Sequence, residues 1–229
     1  FLLITEAVVS LVAPQNLSGS WRVETQKGLK VNKAQGVSRH QLGDQIVNYE
    51  FAPFHLRGPL GKGRYKVLIL GDSFTFGWLL DEENHYVNLL QKKIDNRFGD
   101  ELFVLLNAAA GGWGTGDHVA YIEDFGDDIN PDIIILFLNI FDLDRAAKSP
   151  LWSFDSAGGS LSRRAAPTSK LKQFVNGLPF YQLLLENSHL LQIARTRMLL
   201  INHSPTVDRS LKPEVASEER IDAYSAQMR

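Results

Sequence analysis

Apolar and polar residues follow one another along the chain in segments whose period changes several times. Short apolar runs at 67–70, 102–106 and 133–138 end in turn-forming or polar residues. Between them, 81–98 and 116–125 carry apolar residues at helical spacing. This strand–helix–strand–helix–strand order, with short connections, indicates crossovers that make the strands parallel. The sequence therefore predicts an α/β fold built on a parallel sheet.

The third run, IIILFL at 133–138, is nearly continuous in apolar residues. Strands without polar alternation are typical of a parallel sheet that helices cover on both faces. The predicted architecture is therefore a three-layer α/β/α arrangement, with the core domain spanning 64–229.

The lead-in at 15–63 is rich in Gly, Asn, Ser and Gln and shows no sustained period. We predict an extended segment with one or two short strands, of which 45–51 is the best candidate. His55 and Arg57 in this segment are interpreted as structural or solvated residues.

After Pro150 the pattern changes again, and we predict a helical insertion at 151–212. Its main helix covers 171–201 and breaks near Gly177 and Pro179. A last helical pattern starts at Glu214 and reaches the final residue without a stop signal.

The first fourteen residues, FLLITEAVVSLVAP, are apolar except for Thr5, Glu6 and Ser10. Spanning a bilayer takes about 20 residues, so this stretch alone is too short. One interpretation is the remnant of a signal anchor, which predicts a membrane-anchored or periplasmic protein of the cell envelope. The other is an amphipathic helix packed on the domain, which Glu6 favours. The first is preferred.

Composition excludes several classes of protein. The 229 residues contain 24 Lys and Arg against 26 Asp and Glu, a formal net charge of −2, so no basic excess points to nucleic acid. The absence of cysteine excludes disulfide frameworks, thiolate metal sites and cysteine nucleophiles. No cofactor or metal is expected.

The most informative stretch is KVLILGDSFTFG, at 66–77. Ser73 follows directly where a buried strand stops, at the sheet edge where open α/β folds bind ligands. A helical pattern follows, so the hydroxyl is presented near the start of a helix. The alternative is a Gly-Asp-Ser turn that only caps this helix, since Asp and Ser both cap well.

A second candidate segment, NAAAGGWGTGD at 107–117, follows the second strand. Its four glycines allow unusual backbone angles and close approach to a ligand, as amide donors to an oxyanion require. A phosphate-cradling loop of a nucleotide-binding domain is the alternative. The segment lacks the lysine-serine pair of a P-loop, and its spacing fits a dinucleotide fingerprint poorly.

From Asn48 to Leu151 the chain resembles the SGNH (GDSL-type) serine hydrolases, particularly their envelope-associated members. The resemblance implies a flavodoxin-like fold and assigns Ser73 as the nucleophile. The Ser73 N–H could serve as one oxyanion donor, and the resemblance places a second at Gly112, with Gly111 as the next choice. It places a third at Asn139, although Phe141 stands where a family member often has Asn before Asp142.

The family supplies its base from an Asp-x-x-His motif near the end of the chain. None of the six histidines has Asp three residues before it. His118 adjoins the glycine loop and is the one expected near Ser73, whereas His85 and His189 lie in helical patterns. We therefore expect the catalytic Asp and His beyond Arg229, in which case the chain as given is an incomplete domain with almost no esterase activity.

Two functional hypotheses remain from the sequence, besides the nucleotide-binding alternative. The first is a serine esterase or O-acyltransferase that acts on an ester, such as an O-acetyl group on a small molecule or envelope glycan. The second is a non-catalytic glycan-binding or envelope-assembly protein on the same scaffold.

Overall fold

The computed structural model describes residues 2–155, 160–164 and 178–202. Its helices are α1 Leu2–Val12, α2 Ser73–Phe76, α3 Tyr86–Phe98, α4 Thr115–Ile129, α5 Asp142–Ala147, α6 Pro179–Asn187 and α7 His189–Asn202. Its strands are β1 Arg22–Glu24, β2 Lys30–Asn32, β3 Gly36–Leu42, β4 Gln45–Ala52, β5 Leu56–Arg57, β6 Tyr65–Leu70, β7 Phe103–Asn107, β8 Ile133–Leu136, β9 Trp152–Asp155 and β10 Ser160–Arg163. The contacts within the chain divide it into two units, Phe1–Gln192 and Ile193–Arg229, and every contact described below lies in the first.

The central sheet has six strands in the order β3-β4-β5-β7-β6-β8. Strands β7, β6 and β8 are parallel, and Val67 of β6 lies opposite Leu105 on one side and Ile133 on the other. Strands β3, β4 and β5 are antiparallel, and β5 joins β7 where Arg57 pairs with Asn107. The α/β class and the parallel core are therefore confirmed, with an antiparallel extension that the sequence pattern did not reveal.

Helices cover both faces of β6. Leu68 and Leu70 belong to a buried cluster with Tyr121 of α4, whereas Val67 and Ile69 pack with Val87 of α3. Successive strand residues point to opposite faces, so this division follows from the order of residues in β6. It confirms the three-layer arrangement.

Strand β8 departs from the expectation of a strand covered on both faces. Ile133 to Leu136 are each between 36% and 46% exposed. Strand β6 pairs with one edge of β8, and within the described residues no strand pairs with the other. The strand is also shorter than the predicted 133–138, although the Phe137 N–H still donates to the Leu70 carbonyl at 2.9 Å.

The lead-in is more ordered than predicted. Instead of one or two short strands it forms five, β1 to β5. Strand β4 alternates inward and outward, and its Val47, Tyr49 and Phe51 are buried with Phe76 of α2. The antiparallel hairpin of β3 and β4 is therefore part of the wall behind the candidate nucleophile.

Helix α3 begins later than the pattern suggested, at Tyr86 rather than position 81. The buried ring of His85 caps it, because its Nδ1 accepts a hydrogen bond from the Asn88 N–H at 3.4 Å. The Asn84 N–H closes a turn on the Asp81 carbonyl at 3.0 Å. Residues 81–84 are therefore a turn that leads into the helix.

Helix α1 is held at the start of α7. The Glu6 carboxylate accepts hydrogen bonds from the N–H groups of His189 at 2.6 Å and Leu190 at 3.2 Å, as expected for an acidic group at a helix N-terminus. Its large apolar side chains, including Leu3 and Leu11, are mostly exposed. Across the described ranges, no helix combines the length and apolar character needed to cross a membrane.

Predictions for 171–177 and 203–229, which include Gly177 and the pattern from Glu214, lie outside the described residues. Pro179 is at the first turn of α6, where its missing N–H costs no helical hydrogen bond.

Candidate active site

Ser73 is the first residue of α2, three residues after the end of β6. The Asp72 side chain caps this helix by accepting a hydrogen bond from the Phe74 N–H at 2.9 Å. Ser73 is half-buried, and its hydroxyl has no hydrogen-bond partner in the part of the chain that the structure describes. Asp72 thus supplies the helix cap, which leaves the Ser73 hydroxyl free for another role.

Glycine is required on both sides of this turn. A Cβ on Gly71 would lie 2.6 Å from the Thr75 Cβ, closer than two carbon atoms approach. Gly77 has a φ of 77° and donates its N–H to the Ser73 and Phe74 carbonyls, the left-handed helix end that glycine tolerates best. The spacing in GDSFTFG therefore fixes one tight strand-to-helix turn.

The glycine loop after β7 runs along the end of β6. The Ala110 N–H donates to the Gly71 carbonyl at 3.3 Å, and the Asn107 carboxamide donates to the Thr75 carbonyl at 2.9 Å. These bonds hold Gly111 beside the nucleophile. A Cβ built on Gly111 would lie 3.9 Å from the Ser73 Cβ.

Gly112 lies one residue further along. The Trp113 N–H closes a turn on the Ala110 carbonyl at 3.3 Å, and Gly112 has a φ of 77° in this turn. A Cβ on Gly112 would point towards Arg22, 3.9 Å from its Nη2. The N–H groups of Gly111 and Gly112 have no acceptor among the described residues. The role of Gly112 stays a prediction, and it is Gly111 that lies against the Ser73 side chain.

Asn139 lies at the same edge of the sheet. Its Nδ2 donates to the Asp72 Oδ2 at 3.3 Å, and its Oδ1 accepts from the Phe141 N–H at 3.1 Å. A carboxamide carries two N–H donors, so one remains beyond the bond to Asp72. The structure therefore brings Ser73, the glycine loop and Asn139 around one end of the parallel strands. The donor role of Asn139 stays a prediction.

The sequence did not reveal an ionic cluster at the site, formed by half-buried Arg145 and two buried carboxylates. Arg145 Nη1 donates to the Asp72 Oδ2 at 3.0 Å, the Asp142 Oδ1 at 3.3 Å and the Trp113 carbonyl at 3.0 Å. Asp72 and Asp142 are both almost fully buried. In the sequence, only the i, i+3 spacing of Asp142 and Arg145 pointed to this cluster. That spacing does not show that Asp72 also contacts Arg145.

His118 is buried against Trp113, with ring centroids 5.8 Å apart. Neither ring nitrogen makes a hydrogen bond of good geometry to a described residue, although the Gly71 backbone lies close to the ring. Burial lowers the pKa of His118, and the Asp142 carboxylate and the Gly71 backbone offset part of that shift. The ring is near the site, but it makes no hydrogen bond to the Ser73 hydroxyl.

The other described histidines serve the fold. His85 Nε2 lies 3.0 Å from the Glu82 carboxylate, and His189 Nδ1 accepts from the Gln15 N–H at 2.8 Å. His40 and His55 contact the Ser18 hydroxyl and the Asn32 carbonyl. Within the described ranges, no histidine is placed to take the Ser73 proton.

Comparison with protein families matches residues 69–229 to the GDSL-like Lipase/Acylhydrolase family. The match covers more than half of the chain, and the chain belongs to this family. This confirms the SGNH/GDSL resemblance and the fold that it implied. No curated protein and no solved structure matched the chain. Family membership supports ester or acyl hydrolysis as the general class of activity.

Proposed function

We propose that the chain is a serine esterase or O-acyltransferase that works through an acyl-enzyme on Ser73. The observation that supports this most directly is the unbonded Ser73 hydroxyl at the start of α2, on a side chain whose Cβ lies 3.9 Å from the Cβ position of Gly111. The Asp72 carboxylate, which Asn139 and Arg145 both contact, holds the turn that carries the serine. The chemistry needs a nucleophile and preorganised donors; in this proposal Ser73 is the nucleophile, and the glycine loop and Asn139 supply donors.

In the proposed reaction, the Ser73 Oγ attacks the acyl carbonyl carbon while a base takes the hydroxyl proton. The oxyanion that forms accepts hydrogen bonds from the N–H of Ser73, the glycine loop at Gly112 and the Asn139 carboxamide. When the tetrahedral intermediate collapses, the leaving alcohol takes the proton and Ser73 keeps the acyl group. Water or a sugar hydroxyl then attacks the acyl-enzyme, which yields the free acid or a new ester and regenerates the serine.

We further propose an O-acyl group on a small molecule or glycan of the cell envelope as the substrate. This rests on the resemblance to envelope-associated family members and on the exposed apolar residues of α1. Fractionation of cells that express the full-length protein tests the location, and recovery only in the soluble cytoplasmic fraction would contradict it.

Labelling with a fluorophosphonate probe tests the proposed nucleophile. We expect the full-length protein to be labelled, the Ser73→Ala variant to lose the label, and the control variant Ser10→Ala, at a half-buried serine of α1, to keep it. Labelling that persists in Ser73→Ala would overturn the proposal.

The 229-residue chain should turn over p-nitrophenyl acetate very slowly, because none of its six histidines lies in an Asp-x-x-His motif and no described one hydrogen-bonds to Ser73. Loss of a triad member typically costs on the order of 10⁴ in kcat. Fast hydrolysis that depends on Ser73 would show that the base lies within the chain.

The lack of a histidine at Ser73 among the described residues also favours a second candidate, a non-catalytic glycan-binding protein on the same scaffold. Glycan binding that survives Ser73→Ala, together with no turnover by the full-length protein, would distinguish this function from catalysis.

A further inference from the structure

A cavity of about 270 Å³ adjoins the glycine loop, and Ser73 is not part of its lining. The lining includes Gly112 and four cationic residues, Arg22, Lys30, Arg145 and Lys148. Asp117 is the one acidic residue in the lining. The proposed reaction uses none of these side chains.

Most of these cations form no ion pair within the described residues. Arg22, Lys30 and Lys148 make none, whereas Arg145 is engaged by Asp72 and Asp142. Asp117 Oδ2 accepts a hydrogen bond from the Gly114 N–H at 2.9 Å. Arg22 and Lys30 share the electrostatic field of this one carboxylate, so positive charge exceeds negative charge in the lining.

Arg22 remains exposed in the open cavity. Partial desolvation lowers its pKa, and the Asp117 carboxylate offsets part of that shift. Burial raises the pKa of Asp117, a shift that the nearby Lys30 and Arg22 partly offset. An anion in the cavity would add favourable charged contacts to Arg22.

The cavity is also within reach of the nucleophile. The Cβ position of Gly111 lies 3.9 Å from the Ser73 Cβ, and that of Gly112 lies 3.9 Å from the Arg22 Nη2. With one peptide unit between the two glycines, the Ser73 Cβ and the Arg22 Nη2 are at most about 15 Å apart. A short glycan ester spans that distance.

We propose that this cavity is a subsite for an oxyanion group, a carboxylate or a phosphate, carried by the ester substrate. Arg22 and Lys30 bind the anion, and the glycine loop places the ester of the same molecule at Ser73. The substrate class is therefore an acidic sugar ester. The link between the subsite and catalysis rests on the proposed function. Anion binding in the cavity is independent of that function.

Calorimetric titration of the intact chain tests the subsite with three probes: sodium glucuronate, glucose 6-phosphate and glucose. We expect the anionic sugars to bind and glucose to show no binding. Arg22→Gln and Lys30→Gln should each weaken binding of the preferred anion about tenfold, and added salt should weaken it further. Lys92→Gln on α3 is the control and should bind as the wild type does.

Preference for glucuronate identifies a carboxylate subsite, and preference for glucose 6-phosphate identifies a phosphate subsite. Binding of glucose as tight as that of the anions, no binding of either anion, or unchanged binding in Arg22→Gln with its thermal unfolding intact would overturn the proposal. Ser73→Ala should bind the anion normally. If the anion binds through Arg22 but Ser73 is not labelled, the proposed catalytic function is refuted and the subsite stands. If Ser73 is labelled but no anion binds, the subsite is refuted and the catalytic function stands.

Discussion

The Asn139 carboxamide donates a hydrogen bond to the Asp72 carboxylate at 3.3 Å. These residues are 67 positions apart, and each follows the end of a different parallel strand. Asp72 precedes the candidate nucleophile, so the bond ties the loop after β8 to the turn that presents Ser73. The positions of the serine and the carboxamide therefore depend on one shared carboxylate.

Asp72→Asn should disturb this arrangement while keeping the size of the side chain. It removes the negative charge that meets Arg145 and puts an amide donor or a weaker acceptor in its place. We expect a loss of about 1–3 kcal/mol in the free energy of unfolding and slower labelling of Ser73. Urea unfolding and fluorophosphonate labelling measure the two effects. Asp44→Asn in the exposed β3–β4 turn is the matched control, and equal behaviour of the two variants would count against a positioning role for Asp72.

Gly111→Ala and Gly71→Ala should separate reactivity from folding. At Gly111 the new methyl group lies 3.9 Å from the Ser73 Cβ, an ordinary contact, so the protein should fold and Ser73 should be crowded. At Gly71 the methyl group meets the Thr75 Cβ at 2.6 Å, so the turn has to shift. We expect Gly111→Ala to unfold within about 1 kcal/mol of wild type but label slowly, and Gly71→Ala to lose several kcal/mol. If Gly111→Ala is labelled at the normal rate, the reacting group does not bind next to Gly111.

Arg57→Ala should be strongly destabilising. The side chain of Arg57 is fully buried, forms an ion pair with Glu82 and donates to the Leu80 carbonyl at 3.2 Å. Its guanidinium also lies over the Tyr49 ring, 4.9 Å from the centroid. Removing one partner of a buried pair typically costs about 3–5 kcal/mol.

Chemical denaturation measures this cost. Arg64→Ala is the control, because exposed Arg64 also lies over a tyrosine ring, 5.3 Å from the Tyr65 centroid, yet is not buried. It should lose less than about 1 kcal/mol. Similar losses for the two variants would show that the Arg57 ion pair stabilises the fold little.

Stability should fall in mild acid. Burial lowers the pKa of His40, His55 and His118, so near pH 6 the unfolded chain binds more protons than the folded one. The free energy of unfolding therefore decreases as the pH drops below about 6.5, the pKa of an unfolded histidine, towards the lower pKa values of these histidines in the folded protein. The decrease is up to about 1.4 kcal/mol per pH unit for each histidine. Urea unfolding at pH 7.5, 6.5 and 5.5 measures this. His118→Phe should give a shallower dependence, and an equally steep one would show that His118 does not contribute.

The sequence predicted the parallel half of the sheet because strand and helix periods there are local. It also placed Ser73 at a strand end, since turn residues mark that position. The pairing of Arg57 with Asn107 and the contact of Arg145 with Asp72 could not be predicted. Each joins residues 50 or more positions apart, and no periodicity within either segment encodes the partner.

The same limit applies to the acidic residues after β8. Asp142 accepts hydrogen bonds from the Asn139 N–H at 2.7 Å and from Arg145 at 3.3 Å, and in the sequence only the i, i+3 spacing of Asp142 and Arg145 pointed to either bond. A buried carboxylate needs hydrogen-bond partners, and Asp142 is buried. Its neighbours in the chain do not reveal that burial.

Strand β8 has a practical consequence for work with this polypeptide. Among the described residues no strand pairs with its outer edge, which presents backbone donors and acceptors flanked by isoleucine side chains with more than a third of their surface in water. Such an edge templates pairing with another chain. Concentrated samples should therefore form oligomers through this strand, and a lysine introduced at Ile134 should keep them monodisperse in light scattering.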